Sequence, residues 1–231
     1  MNRIVDARDP LAPTLASRLW FGFCSNIAAT VSVLGFSYRY EGVRNIPKSG
    51  PLLVLANHQS FLDPPMVALP FQRHLIFLAR KTLFRNRFLG WLYRSLHAVP
   101  LDQEGVGKEG IRTVSEQLAL GQAVLVFPEG ARTPDGAMHP LKPGVHLLIR
   151  KSRAPILPVG IAGAYDAWPV HQKFPNFAPL FLPARKGTCA VSIGEPFESG
   201  PLADMPREQA TQILFDRIAE VQQRAEKLRR R

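Results

Sequence analysis

Pro51-Leu52-Leu53-Val54-Leu55-Ala56-Asn57-His58-Gln59-Ser60-Phe61-Leu62-Asp63-Pro64-Pro65 is the stretch whose reading decides the fold. Its first half is a short apolar run after a Gly-Pro turn signal, the pattern of a strand buried on both faces. Its second half is polar and ends in two prolines. Proline disfavours helical geometry in the residue before it but is tolerated in the first turn of a helix, so the chain is expected to turn after Ala56 and start a helix at Asp63. His58 then sits just past a strand end. Positions five apart lie roughly 140° apart around a helix, so His58 and Asp63 can meet only across a turn formed by residues 59–62. Two readings follow. In one, Asp63 caps the helix running through Met66-Val67-Ala68 and His58 is a satisfied histidine at a strand edge. In the other, the carboxylate holds one imidazole tautomer so that the ring can take a proton from an alcohol at neutral pH.

Outward from this stretch, the strand-then-helix alternation repeats. Ile111 to Leu120 has helical periodicity and feeds the strand-like run Gln122 to Phe127; Gly144 to Lys151 reads as a helix, and Ile156 to Ala162 and Thr188 to Ile193 as strands. This predicts an α/β sheet wrapped by helices. The run ending at Phe127 leads into Pro128-Glu129-Gly130-Ala131-Arg132-Thr133-Pro134-Asp135-Gly136, rich in turn residues. Polar groups at the end of a buried strand are where an open α/β sheet places its ligand site. Arg132 offers a planar fork suited to phosphate and Glu129 an acceptor for a hydroxyl, although a solvated surface loop would carry the same residues. No Gly-x-Ser-x-Gly elbow occurs, and Ser60 lacks that context, so direct attack by a bound alcohol is favoured over a covalent acyl-enzyme.

Taken in order, these clusters resemble the glycerolipid acyltransferase family. Asn57-His58 through Asp63 matches its His-x4-Asp motif, and Phe127-Pro128-Glu129-Gly130-Ala131-Arg132 its Phe-Pro-Glu-Gly-x-Arg motif. Ile156-Leu157-Pro158-Val159-Gly160-Ile161 resembles the later apolar motif, residues 79–84 and 88–91 look like the linking region, and Ala98 to Asp102 stands where the family commonly ends in an Asp-Arg pair; here the pair is Asp102-Gln103. The resemblance spans roughly residues 40–197. It implies a mixed, largely parallel sheet and transfer of a fatty acyl group from a thioester, on coenzyme A or acyl carrier protein, to a lysophospholipid hydroxyl, above all that of 1-acylglycerol-3-phosphate, to give phosphatidic acid; an acyltransferase for another lysolipid acceptor and a non-catalytic basic lipid-binding protein of the same fold are the alternative readings. It further implies His58 as general base, Asp63 as its orienter, Glu129 and Arg132 as holders of the acceptor, Gly130 as a point of close backbone approach, Lys142 as a second phosphate contact and Pro158 as a substrate-side residue. No cofactor is expected, the acyl thioester being a co-substrate.

Composition bounds the rest. The chain of 231 residues suits one core with short extensions, and its net charge of +11 favours anionic partners. Two cysteines far apart predict no disulfide framework, and the six histidines show no metal-ligand spacing, so no metal is expected. Gly105-Val106-Gly107-Lys108-Glu109-Gly110 fits Gly-x-Gly-x-x-Gly, but no second mononucleotide-binding half accompanies it; it reads as a loop into a helix. No nucleic-acid motif accompanies the charge. Arg80, Lys81, Arg85, Arg87 and Arg94 interleave with Leu83, Phe84, Phe88, Leu89 and Trp91, a mixture that suits a membrane surface with anionic lipids, or else a core helix with a solvated basic face. The N-terminal segment, residues 1–38, is largely apolar from Leu19 to Phe36 but broken by Ser25, Asn26, Thr30 and Ser32; Asp6 and Asp9 argue against a secretory leader. It reads as an interfacial or re-entrant helical anchor, with a buried core helix and a true span as the other readings. Residues 39–205 form the α/β acyltransferase domain, with 168–183 a long proline-rich loop, a lid or acyl-pocket wall. Residues 206–231 form an amphipathic helix whose basic end, Arg229-Arg230-Arg231, suits its dipole and could touch lipid. The expected location is the cytoplasmic side of a membrane, peripheral or monotopic.

Overall fold

The computed structural model describes residues 15–86, 90–91, 98–101, 107–184 and 186–230. The apolar run at 52–56 forms strand β2 (Leu52–Ala56), every residue of which is buried. Parallel strands covered on both faces read as continuous apolar runs, and here the two faces separate by residue parity. Leu52, Val54 and Ala56 join one core cluster and Leu53 and Leu55 another.

Around β2 lie β1 (Arg39–Glu41), β3 (Leu75–Arg80), β4 (Ala98–Leu101), β5 (Ala123–Val126), β6 (Ile156–Ala162) and β7 (Ala190–Ile193). Among the described residues they form a seven-stranded sheet in the order β1-β7-β6-β2-β5-β3-β4. Every pairing is parallel except β6 with β7, so the sheet is mixed and largely parallel. β1 and β3 were not expected as strands. β1 is three exposed residues with no apolar run, recruited by backbone pairing to β7. β3 ends at Arg80 and passes into a 3-10 turn, Lys81–Phe84, so the basic and aromatic residues from 80 onward do not begin as one amphipathic helix; residues 87–89 and 92–97 lie outside the described residues.

Seven α-helices with both ends described accompany the sheet: α1 (Leu15–Phe36), α2 (Asp63–Ala68), α3 (Lys108–Ala119), α4 (Gly144–Ser152), α5 (Ala164–Ala167), α6 (Gly200–Ala203) and α7 (Arg207–Leu228). Phe36 at the end of α1 and Met66 and Val67 of α2 cover the Leu52/Val54 face. Val114 of α3, Leu148 of α4 and Leu214 and Ile218 of α7 cover the Leu53/Leu55 face. α7 lies so close that a Cβ on Gly160 of β6 would stand 2.1 Å from the backbone nitrogen of Gln222. Only glycine permits that approach. α3 starts at Lys108, three residues earlier than expected, so Gly110 of the Gly-x-Gly-x-x-Gly match is buried inside a helix; Gly105 and Val106 lie outside the described residues. No helix among the described residues is long and apolar enough to cross a membrane.

The basic C-terminal end is used internally. Arg229 donates to the Thr188 carbonyl at 3.0 Å and pairs with Asp166 at 3.1 Å and Glu226 at 2.9 Å. Arg230 donates to the carbonyls of Leu180 and Leu182, each at 2.6 Å. Their guanidinium forks stitch the 168–189 loop to the end of α7, a use that the reading of a basic helix end suited to its dipole or to lipid did not include; Arg231 lies outside the described residues.

Candidate active site

β2 and β5 are adjacent and parallel, with Leu55 opposite Val126. Neighbouring strands run about 4.8 Å apart, so the two polar clusters that leave their C-terminal ends are brought side by side although 71 residues separate His58 from Glu129. The residues between Ala56 and α2 turn as the prolines require, with Pro64 and Pro65 inside the first turn. Asp63 is the first helical residue and not the cap. Its carboxylate turns back instead. Oδ2 accepts the backbone N–H groups of Gln59 at 2.5 Å and Ser60 at 2.7 Å and stands 2.8 Å from His58 Nδ1. Asp63 is completely buried, while the His58 side chain keeps 18% exposure. A carboxylate in that position selects the imidazole tautomer with its proton on Nδ1 and leaves Nε2 as the base.

The ring is fixed from other directions as well. Phe127 stacks on it with centroids 3.9 Å apart and planes 11° from parallel. Asn57 clamps the loop to β6 through both amide atoms, accepting from Ile161 N at 2.8 Å and donating to Ile161 O at 3.0 Å. The His58 carbonyl accepts from Thr133 N at 2.9 Å, and Ser60 Oγ donates to the Trp168 carbonyl at 2.8 Å. Ser60 is thus spent on holding the loop.

Glu129 is buried at the junction of the two clusters. Oε1 accepts His58 N–H at 2.7 Å and Oε2 accepts His139 N–H at 2.8 Å. Burial pushes its carboxyl above the usual range, against the two backbone bonds, which pull it down. Both oxygens are engaged by the protein, so in this structure Glu129 positions the His58 backbone, where the sequence suggested a contact to the acceptor. Gly130 follows with φ +79°, the left-handed conformation that turns the chain from β5 toward Arg132. The Arg132 guanidinium lies 3.6 Å from the ring centre of Phe61, which is half exposed. The motif arginine and the histidine turn therefore meet at the mouth of the site.

Lys142 is exposed beyond the same loop, and its backbone N–H donates to the Pro128 carbonyl at 2.8 Å. Pro158 is buried within β6 opposite Leu55, where the ladder to β7 stops at Val159 opposite Ile193, so its missing N–H falls at the ladder's end. Asp102 and Gln103 lie outside the described residues.

Sequence reasoning did not single out Phe127 or Asn57 as supports, nor a second pair in the loop, His139 Nε2 with Asp135 Oδ1 at 3.0 Å. The Thr133 hydroxyl, His139 and the Ala137 N–H hold the Asp135 carboxyl down at about 2. Asp135 and His139 stand four apart in a loop without helical or strand pattern, so spacing carried no signal.

A histidine and a buried carboxylate are held together at the C-terminal edge of a mixed α/β sheet, and an arginine from the loop after the neighbouring strand packs on Phe61 of the same turn. A family model described as Acyltransferase matches residues 37–162, and the chain belongs to that family. It is 28% identical over 215 residues, 90% of this chain and 100% of the other, to a protein of Bacillus subtilis named 1-acyl-sn-glycerol-3-phosphate acyltransferase. It is 31% identical over 170 residues to the Pseudomonas aeruginosa protein of that name, covering 69% of this chain and 64% of the other. A chloroplastic relative of the same activity name from Brassica napus is 28% identical over 66% of this chain, which spans only 45% of that longer protein. The crystal structure of the Thermotoga maritima 1-acyl-sn-glycerophosphate acyltransferase superposes with a TM-score of 0.70 over 92% of this chain and 81% of the other, at 26% identity.

Proposed function

We propose that this acyltransferase moves a fatty acyl group from an acyl thioester to the free hydroxyl of 1-acylglycerol-3-phosphate, forming phosphatidic acid. The observation that carries the reading is the 2.8 Å contact between His58 Nδ1 and a fully buried Asp63, which leaves Nε2 as the free nitrogen of a partly exposed ring. His58 Nε2 takes the hydroxyl proton as the oxygen attacks the thioester carbonyl, and collapse of the tetrahedral adduct breaks the carbon–sulfur bond. The proton then leaves with the thiolate. A thioester is already activated, so positioning and deprotonation of the alcohol suffice without a covalent intermediate. Arg132, planar and stacked on Phe61, receives the acceptor's phosphate, with Lys142 as a second cation at the loop's outer end. No cofactor enters this scheme.

The acceptor is an amphiphile, and α1 supports delivery from a bilayer. Leu19, Phe23, Ile27, Val31 and Leu34 are exposed along one side of it, and Trp20 packs on Trp91 with centroids 5.0 Å apart, which brings Trp91 of the basic and aromatic segment to the same helix. We read α1 as lying in the interface of an anionic leaflet on the cytoplasmic side, the protein being peripheral or monotopic and drawing its donor, acyl-coenzyme A or acyl carrier protein, from solution.

The test is thiol release from long-chain acyl-coenzyme A, and in parallel from acyl carrier protein, with and without 1-acylglycerol-3-phosphate, in wild type and His58→Ala. Release that requires the acceptor and disappears in the variant is expected. Release that is indifferent to the acceptor would indicate thioester hydrolysis, and none with either donor and any lysolipid would overturn the enzymatic reading of this site.

A further inference from the structure

The described residues of the loop between α5 and β7, 168–184 and 186–189, form no helix or strand, yet the backbone is tied down at several points. Ala178 N donates to Gly35 O at 2.8 Å and Leu180 N to Leu34 O at 3.2 Å. Ser37 Oγ donates to Ala178 O at 2.7 Å, and Arg230 fixes the carbonyls of Leu180 and Leu182. Fixed backbone of this kind normally folds its apolar side chains inward. Here Phe174 and Phe181 do the reverse, 80% and 78% exposed, with Leu180 and Leu182 partly open beside them, while Phe177 stacks on Phe36 of α1 with centroids 5.3 Å apart. Holding large apolar groups in water on an ordered loop is unfavourable, and soluble surfaces rarely gather so many in one place.

The surroundings say what covers them. The loop meets α1 at Leu34 and Gly35, where the exposed stripe of that helix ends, so loop and stripe form one surface. Its other end begins at the catalytic turn: Trp168 accepts from Ser60 Oγ and its ring lies 5.8 Å from Phe61, the ring under Arg132. From Ala167 to Gly194 the sequence has no acidic residue but carries Lys173, Arg185 and Lys186, and α1 has no acidic residue either. Aromatic side chains flanked by cations, without carboxylates, fit an anionic leaflet, where rings enter the interface and ammonium groups meet head-group phosphates.

We infer that the 170–182 segment is a second membrane-inserting element, an aromatic wedge held against α1 by the Arg230 clamp, which seats the mouth of the active site on the leaflet of an anionic bilayer. It deepens the proposed function and rests on the reading of α1 given there. The alternative expected from sequence, a lid or acyl-pocket wall, calls for Phe174 and Phe181 to turn toward the protein as Phe177 does.

The test uses the full chain with vesicles of phosphatidylcholine containing phosphatidylglycerol. Phe174→Ser/Phe181→Ser is expected to weaken partitioning about tenfold or more, as loss of two interface-buried rings implies, with an unchanged melting temperature and mass. Phe23→Ser/Ile27→Ser on α1 is the parallel arm. A fluorophore on Phe174→Cys, in a Cys24→Ser background, is expected to shift to the blue with vesicles and not with monomeric acyl-coenzyme A. If the α1 variant loses binding while the loop variant keeps it, the wedge is overturned and the α1 reading stands; if neither variant loses binding, both fail. A shift with acyl-coenzyme A alone would make the loop an acyl-pocket wall, and one that grows with protein concentration alone would make it a contact between copies. None of these results depends on turnover, so thiol release judges the proposed reaction separately.

Discussion

Two His–Asp pairs stand on either side of one glutamate, and only one is withdrawn from water. His58 and Asp63 are 2.8 Å apart, with the ring 18% exposed and the carboxylate wholly buried. His139 and Asp135 are 3.0 Å apart, with side chains 43% and 59% exposed. Distance does not separate them. The difference is the surroundings: Asp63 is locked by two backbone N–H groups and its histidine by a stacked phenylalanine, whereas Asp135 leans on a threonine hydroxyl and water has access to both partners. Removed from bulk water, an ion–dipole contact keeps its strength; exposed, it is screened. Glu129 joins the pairs, one oxygen to each histidine's backbone N–H.

The comparison is broken most severely by His58→Ala. Loss of a positioned general base is expected to lower kcat by roughly 10³-fold or more, with little change in melting temperature, since the ring is a surface-facing lid on Phe127. Acceptor-dependent thiol release checks it. Asp63→Asn comes next. It leaves the ring in place but removes the charge that selects its tautomer, and a loss of about 10²-fold or more in kcat is expected, with KM for the acceptor nearly unchanged. A variant that keeps wild-type turnover would return Asp63 to a structural role.

Glu129→Gln cuts the link between the pairs. The amide retains one acceptor and turns its NH2 toward the other backbone N–H, so one buried donor loses its partner. A destabilisation of about 1–3 kcal/mol is expected, read from urea melts, together with a fall in kcat larger than any rise in acceptor KM. If Glu129 instead holds the acceptor, as the motif suggests, KM will carry the effect. His139→Ala sharpens the contrast from the exposed side: its loss should change kcat by less than about threefold, the scale of an exposed pair.

The apolar runs of β2, β5 and β6 were legible because burial on both faces demands them, and the prolines at 64 and 65 marked the start of α2 correctly. What spacing left open was the direction of the Asp63 side chain. A capping aspartate and an orienting aspartate occupy the same position in sequence, and only a rotamer decides between them. The adjacency of β2 and β5 was likewise unreadable locally, since β3, β4 and α3 intervene in the chain. Pro158 was named from its motif alone, and nothing local shows that it is a strand residue whose missing donor falls at a ladder's end. The short edge strand β1 had no apolar signal to read, and Arg229 and Arg230 read only as a basic helix end suited to its dipole or to lipid, because nothing local shows that carbonyls from a distant loop await them.

The smallest effect belongs to Asp135, and it tests whether the exposed pair exists in solution. The Thr133 hydroxyl, with His139 and the Ala137 N–H, holds this carboxyl at about 2, below the ordinary value of 3.8. A folded-state value below the unfolded one means that the unfolded chain binds the proton first as pH falls. The contribution is therefore present above about pH 4 and is lost as pH drops toward 2. Asp135→Asn should be slightly less stable than wild type at pH 6 and should close that gap at pH 2–3, as followed by urea midpoints across the range. A constant gap would mean that the carboxylate is not held down in the folded state. The two pairs would then differ in kind, with only the buried one formed in water, instead of in the degree to which their surroundings exclude it.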